Sequence, residues 1–402
     1  MKTNYKKFQE KFIEGLLMLS GTVTSLTVLL IVVFLFSEGL GVFNKKPIDD
    51  DFNLTIHAEN RISKLSPSQV KNIFDQKIKN WKEVGGKDEK IILFKIDDIS
   101  DFYTDDQLGK DFKNLSWCIN DYIVKHQGVI AFFSKKYISK NFKGKILDVD
   151  KIKVSEFLSG DEWFPTARPV VQMGVKPLIL GTLWVSLGAI LIALPLGLAA
   201  AIYLSEIANS RIRNILKPLI ELLAGIPSVV YGFFGLVIIV PLIQQLFNLP
   251  VGETALAGSV VLGIMALPTI ITISEDAMRN TPRAMKEASL ALGASKWQTI
   301  YKVVIPHSAS GITAGAILGI GRAIGETMAV LMVTGNAAII PTTLLEPVRT
   351  IPATIAAELG EAPNGGVHYQ ALFALGCILF IITLVINLLV EFVTKRKTLS
   401  KH

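Results

Sequence analysis

The chain has 402 residues, half of them apolar, with 41 Lys and Arg against 34 Asp and Glu and a formal charge of +7. A mean hydropathy of +0.45 excludes an ordinary soluble enzyme and fits several membrane helices joined to something polar. The basic residues are spread among the flanks of apolar runs rather than gathered in one stripe, so the charge does not call for nucleic acid.

Six apolar runs are long enough to cross about 30 Å of hydrocarbon: Leu16–Phe36, Leu178–Leu204, Ile215–Leu242, Ala255–Ile273, Ser310–Val333 and Ala371–Phe392. The first is long and offers no small-residue cleavage site at Phe34–Gly41, so it reads as a retained anchor rather than a signal peptide. Lys2, Lys6, Lys7 and Lys11 precede it. Arg211, Arg213 and Lys217 follow the second run. Arg279, Arg283, Lys286, Lys296 and Lys302 follow the fourth, and Lys395, Arg396, Lys397 and Lys401 the sixth. The short loops on the other side are nearly bare, with Arg349 alone in the last. This positive-inside pattern places both termini in the cytoplasm.

Between the first two runs lies a polar stretch, 43–156, on the extracytoplasmic side by the charge rule. Ser66, Pro67 and Gln69 spell a capping box with Pro at the first helical position. Val70, Ile73, Phe74 and Ile78 continue at helical spacing. Gly85 and Gly86 mark a turn, and Ile91–Ile96 and Val129–Phe133 read as strands. The expectation is a small α/β insert. Cys118 and Cys377 fall in a polar region and an apolar run, so no disulfide is expected, and the five His residues show no metal-ligand spacing.

The segment Ser274–Pro306 is long, basic and helical in character, with Glu287, Ala288, Ser289, Gly293 and Pro306. A solvated amphipathic hairpin would explain it, and so would docking to a partner. The fifth apolar run then carries Gly311, Gly315 and Gly319 at four-residue steps, followed by Gly321 and Gly325, small residues that let helix backbones approach closely. Arg322 and Glu326 sit within Gly311–Gly335 (GITAGAILGIGRAIGETMAVLMVTG). An Arg at the centre of a membrane helix costs ~3 kcal/mol, so such residues line a polar pathway or find a partner. Four apart, the two would share one helical face and offset each other's charge. Either a purely structural ion pair or a path for a hydrophilic solute fits. Pro195, Pro227, Pro241 and Pro268 imply kinks. No Walker A, G-x-S-x-G or H-E-x-x-H pattern occurs, so no catalytic site, bound cofactor or metal is expected on this chain.

Glu287-Ala288-Ser289, Gly293, nine further residues and Val303–Pro306 (VVIP) resemble the EAA loop of ABC importer permeases, with Ser289 where the family often has Ala. Pro177–Leu183 (PLILGTL), Ile220–Gly235 (IELLAGIPSVVYGFFG) and Gly321–Val330 (GRAIGETMAV) closely resemble the PstC-type permease of phosphate importers, and Phe36–Leu40 (FSEGL) extends the likeness to the first run. The resemblance implies a polytopic α-helical membrane protein of the type I importer class. It would have six transmembrane helices and an extracytoplasmic insert between the first two. The expected parts are 1–42, the insert 43–156, and a permease core 157–402 with its EAA loop at 274–306. The resemblance further implies a cell-membrane location and a pathway bearing Arg322 and Glu326. Glu287, Ala288, Gly293 and Pro306 would form the coupling loop. The implied partners are a sister PstA-type permease, an ATPase dimer that carries the ATP and Mg, an extracytoplasmic phosphate-binding protein, phosphate and the lipid bilayer.

The insert departs from the PstC pattern, which resumes at Phe157–Pro165 (FLSGDEWFP). Leu65–Asp88 (LSPSQVKNIFDQKIKNWKEVGGKD), Gly128–Phe133 (GVIAFF) and Lys136–Asp150 are similar to parts of a phosphate-binding protein. That family continues with an Arg and a Gly-Ser-Gly-Thr loop, where this chain has Lys95–Asp101 (KIDDISD). Extra Asp residues repel phosphate and the insert is too short for two lobes. A docking surface or a cap over the entrance is therefore expected. A signalling receptor would need a cytoplasmic domain after Lys395, and a lone secondary transporter would show an internal repeat. Transport of another oxyanion stays open.

Overall fold

The computed structural model describes residues 2–49 and 51–399; Lys401 lies outside the described residues. The chain divides into two compact units, Met1–Gly174 with Ala362–Ala374, and Val175–Glu361 with Leu375–His402.

The first unit begins with α1 (Lys2–Gly41), whose apolar part forms a span-length helix over Lys11–Asn44 that is almost unburied. Near its end Phe34 meets Phe373 edge to face at 5.6 Å, and a Cβ on Gly41 would lie 2.7 Å from Gln370 Nε2. The insert that follows holds β1 (Phe52–Ile56), β2 (Lys64–Leu65), α2 (Pro67–Phe74), β3 (Ile92–Lys95), α3 (Leu115–Lys125), β4 (Val129–Ser134) and β5 (Lys145–Val149). The sheet order is β2-β5-β1-β4-β3. β1 runs antiparallel to both β4 and β5, with Leu54 opposite Phe132 and Ile56 opposite Ile130.

Side chains alternate across a strand, and β4 uses this to serve two cores. Ile130 joins Leu54, Ile56, Val70, Ile73 and Trp81 beneath α2, while Val129, Ala131 and Phe133 join Phe94, Ile119 and Ile123 beneath α3. α2 starts as its capping box requires: Gln69 N donates to Ser66 Oγ at 3.2 Å and Ser66 N to Gln69 Oε1 at 2.9 Å. Trp81 is fully buried, and its Nε1 donates to Gly128 O at 2.9 Å.

The unit runs on past 156, the expected boundary. Phe157 packs edge to face on Phe43 and Trp163. β6 (Trp163–Phe164) pairs with β7 (Gln172–Met173), and Lys71 of α2 reaches Glu162 at 2.8 Å. Residues 157–174, which carry the permease-like FLSGDEWFP segment, thus pack as part of the insert.

The second unit contains α4 (Lys176–Ile202), α5 (Ser210–Ala224), α6 (Ser228–Phe234), α7 (Val240–Phe247), α8 (Ala255–Arg279), α9 (Arg283–Ala291), α10 (Lys296–Thr299), α11 (Ala309–Gly325), α12 (Met328–Val333), α13 (Ile351–Glu358) and the long α14 (Val367–Leu399), whose first turns cluster with the other unit. α8 is the most buried span, flanked by α4 and α11. Ile270 of α8 is wedged between two glycines. A Cβ on Gly197 of α4 would lie 2.8 Å from its Cγ2, and one on Gly319 of α11 2.7 Å from its Cγ1.

Among the described residues five helices are long and apolar enough to cross a membrane, and six if a pair bent by 70° at Ser308 counts as one. Two expected spans are broken. In Ile215–Leu242 the helix stops at Ala224, and only Ser228–Phe247 is of spanning length. The break falls at Gly225-Ile226-Pro227, where Pro disfavours a helical residue before it. α5 is instead amphipathic, with Leu219 and Leu222 exposed on one side and Arg213 and Lys217 paired on another. In Ser310–Val333 the helix stops at Gly325 and restarts at Met328. The first break lies in continuous apolar sequence and the second holds only Glu326 and Thr327 between apolar stretches, so windowed hydropathy does not register them.

Candidate functional site

Arg322 lies in the last turn of α11, half-buried, where a cation also complements the helix dipole. The shared helical face with Glu326 does not form. Glu326 has left the helix, at φ −70° and ψ 134°, and its Oε1 faces Ala329 N at 3.5 Å at the start of α12. Among the described residues no carboxylate stands within ion-pair distance of Arg322. The four-residue spacing implied an ion pair only for an unbroken helix. Gly325 ends the helix, and Glu326 turns to Ala329 N in the first turn of the next one.

The break in α11–α12 has a neighbour. α6 packs on α12, and a Cβ on Gly232 would lie 2.9 Å from Ala329 Cα. Tyr231 of α6 donates to Leu223 O at 2.8 Å across the α5–α6 break and shares an apolar cluster with Ala323, the residue after Arg322. Two interrupted helices therefore meet here, one carrying Arg322 and the other Tyr231. Beside the break an open groove of about 520 Å³ is lined by Gly325, Thr327, Pro352, Ile355 and Leu359. The expected residues missed Tyr231, which the chain buries in an apolar cluster with Ala323, Ala329 and Val330.

Of the five glycines expected to pack helices, three do so. Gly311 faces Ala277, Gly315 faces Ser274 and Gly319 faces Ile270, all on α8. Gly321 and Gly325 have nothing within 4 Å of a Cβ, since they fall off the four-residue stripe.

The second candidate site is the loop from α9 to α10. Glu287 and Ala288 are exposed on α9. Gly293 makes the turn at φ +86° with open space around it, so backbone conformation rather than crowding asks for glycine. Ser289 Oγ lies 3.0 Å from Thr299 Oγ1, tying the two arms together. Pro306 is half-buried just before α11. The loop displays apolar side chains that its charge pattern did not foretell: Leu292 is 90 % exposed, Trp297 64 % and Tyr301 62 %. These three side chains leave apolar surface uncovered on the loop. Lys286 of α9 is anchored to Glu206, at the end of the first span of this unit, at 2.6 Å.

Residues 193–399 match the family of binding-protein-dependent transport system inner membrane components. The chain belongs to this family. It is 40% identical over 249 residues to the probable ABC transporter permease protein YqgH of Bacillus subtilis, covering 62% of this chain and 80% of that one. It is 38% identical over 259 residues to the phosphate transport system permease protein PstC of Mesorhizobium japonicum, covering 60% and 78%. A solved structure of a putative phosphate ABC transporter substrate-binding protein from Clostridium perfringens aligns with 27% of this chain and 49% of its own, at 23% identity and a TM-score of 0.20. The expected class, a multi-pass helical permease of the PstC kind, is borne out. The insert lies outside the segment that matches the family.

Proposed function

We propose that this family member is a permease subunit of an ATP-driven importer of inorganic phosphate. The reading rests on one observation above the others. Arg322, within a segment that resembles the PstC-type permeases, stands at an intramembrane helix break with no carboxylate partner among the described residues. An unpaired guanidinium in a low-dielectric setting attracts an anion and forms bidentate bonds to it. Glu326 keeps the break in place by facing the start of α12. A sister PstA-type permease would supply the other half of the pathway. An ATPase dimer, carrying ATP and Mg, would dock on Leu292, Trp297 and Tyr301 of the 274–306 loop, and its closure would move that loop and switch the access of the pore. Both termini would lie in the cytoplasm. The insert would face outward as a domain of its own, docking a phosphate-binding protein or capping the entrance.

The test is uptake of labelled phosphate in a strain lacking this gene, restored with the parent or with Arg322→Ala, with sulfate and molybdate in parallel. The parent should restore phosphate uptake, and Arg322→Ala should abolish it while the subunits still co-purify. Normal uptake by that variant refutes the role of Arg322. Restoration of another anion alone keeps the permease and discards the substrate.

A further inference from the structure

The end of α8 holds a buried carboxylate that the proposed pathway does not use. The Glu275 side chain is 1% exposed. Arg213 Nη2 lies 3.0 Å from its Oε1 and Lys217 Nζ 2.6 Å from its Oε2, while Lys217 also reaches Asp276 Oδ1 at 2.7 Å. Arg213 and Lys217 are four apart on α5 and so share one face. The same two turns of α8 carry Ser274 and Ala277, the residues that face Gly315 and Gly311 of α11. The expected loop start at 274 falls inside α8, which runs to Arg279; the chain leaves it through Thr281 and Pro282, ahead of α9.

This short stretch of α8 therefore grips α5 by charge and α11 by close packing, and leads directly into α9. Buried ion pairs seldom stabilise more than the apolar contacts that could replace them, and their best-attested use is to fix one register. An apolar contact between α5 and α8 would hold them together yet let them slide. A carboxylate shared by two cations does not.

We propose that Glu275 is a positioning residue for energy coupling: it locks α5 to α8 so that movement of the α9–α10 loop is delivered to α5 and α11 together, and through α11 to Arg322. The proposal rests on the coupling role given to that loop above.

The test uses the complete transporter in proteoliposomes with its binding protein, reading ATP hydrolysis and anion uptake in one preparation. Glu275→Gln keeps shape and removes charge. Uptake per ATP hydrolysed should fall roughly tenfold while hydrolysis continues, the size expected when a coupling contact is removed. Lys217→Gln, which leaves Arg213 to neutralise Glu275, should show the same signature more weakly. Unchanged uptake per ATP in both variants overturns the proposal. So does a proportional fall of uptake and hydrolysis, or loss of assembly in both, because each assigns the network to folding alone. A parent complex that moves no anion at the expense of ATP refutes the permease reading instead. If the parent carries an anion other than phosphate, the ratio is read with that anion.

Discussion

The seam between α8 and α11 allows a prediction of sign as well as size. Replacing Gly319 by Ala would put a Cβ 2.7 Å from Ile270 Cγ1 and 2.9 Å from Cδ1, about 1 Å inside ordinary carbon contact. Ile270 already packs on Gly197 on its other side, its Cγ2 lying 2.8 Å from where a Cβ there would stand, so its retreat is limited. Overpacking of this kind costs about 1–3 kcal/mol. Against it stands the intrinsic helical advantage of Ala over Gly, about 1 kcal/mol. Gly319→Ala should therefore be destabilising or at best neutral. Gly321→Ala, two residues along the same helix with nothing within 4 Å, should collect the helical advantage alone and stabilise. The third variant is Ile270→Ala, which on its own opens a cavity and costs about 2–5 kcal/mol. Combined with Gly319→Ala it should cost less, because the new methyl enters the vacated space. A coupling of about 1–3 kcal/mol is expected between the two sites. The assay is thermal unfolding of the purified protein in one detergent, with all four variants measured side by side. If Gly319→Ala is more stable than the parent, or if its effect and that of Ile270→Ala simply add, the packing argument for the glycine stripe is refuted.

Other consequences are open to simpler tests. Leu292→Asp should leave the protein's thermal stability unchanged, since the side chain is 90 % exposed, yet abolish co-purification of the ATPase; retained association would remove Leu292 from the docking face. Gly293→Val should weaken that association through backbone strain of about 1–2 kcal/mol, whereas Gly293→Asn should be milder because Asn visits the left-handed region; equal effects would contradict the φ of +86°. Burial and the nearby Asp121 charge push the Cys118 thiol up from its ordinary value, so in a Cys377→Ser background maleimide should label the native chain slowly and the urea-unfolded chain fully. Labelling at the free-thiol rate would show that α3 does not bury it. Burial of Asp121 works to raise its pKa, but hydrogen bonds from Lys125 and Tyr103 outweigh it and hold the carboxyl low. A depressed native pKa contributes stability above the unfolded value of about 3.9 and loses it as pH falls through the native one. Hydrogen exchange in α3 should accelerate below about pH 4, and Asp121→Asn should flatten that dependence; an unchanged profile in the variant would refute the assignment.

Much of the insert was legible because its signals are local. Ser66, Pro67 and Gln69 fix the start of α2 within four residues, and the apolar strand at Val129–Phe133 needs only a sheet to pair with. The outer spans were legible for the same reason, as apolar length alone identifies them. What the sequence concealed depends on residues far apart in the chain. Glu275 meets its cations on α5, about sixty residues earlier, and no spacing rule links them; the one visible trace was Arg213 and Lys217 four apart. The packing of Phe157 and Trp163 with the insert was hidden because their segment resembles the permease family rather than the insert.

The Arg322 and Glu326 pair shows why the hidden part matters most for function. Spacing alone predicts two charges that cancel on one helical face, and such a pair would be inert toward an anion. The structure turns the same two residues to different tasks. Glu326 faces Ala329 N at the start of a new helix, which a carboxylate does at less cost than standing unpaired in an apolar setting. Arg322 is then left without that partner, next to Ala323, which packs in one cluster with Tyr231 at a second helix break. A full positive charge kept half-buried in a membrane helix is costly. Under the proposed function an anion at the break would offset that cost, which a cancelled pair would have no need of. Under the proposed function, breaking the helix between the two residues would turn what spacing alone makes an ion pair into a site able to attract and release its solute.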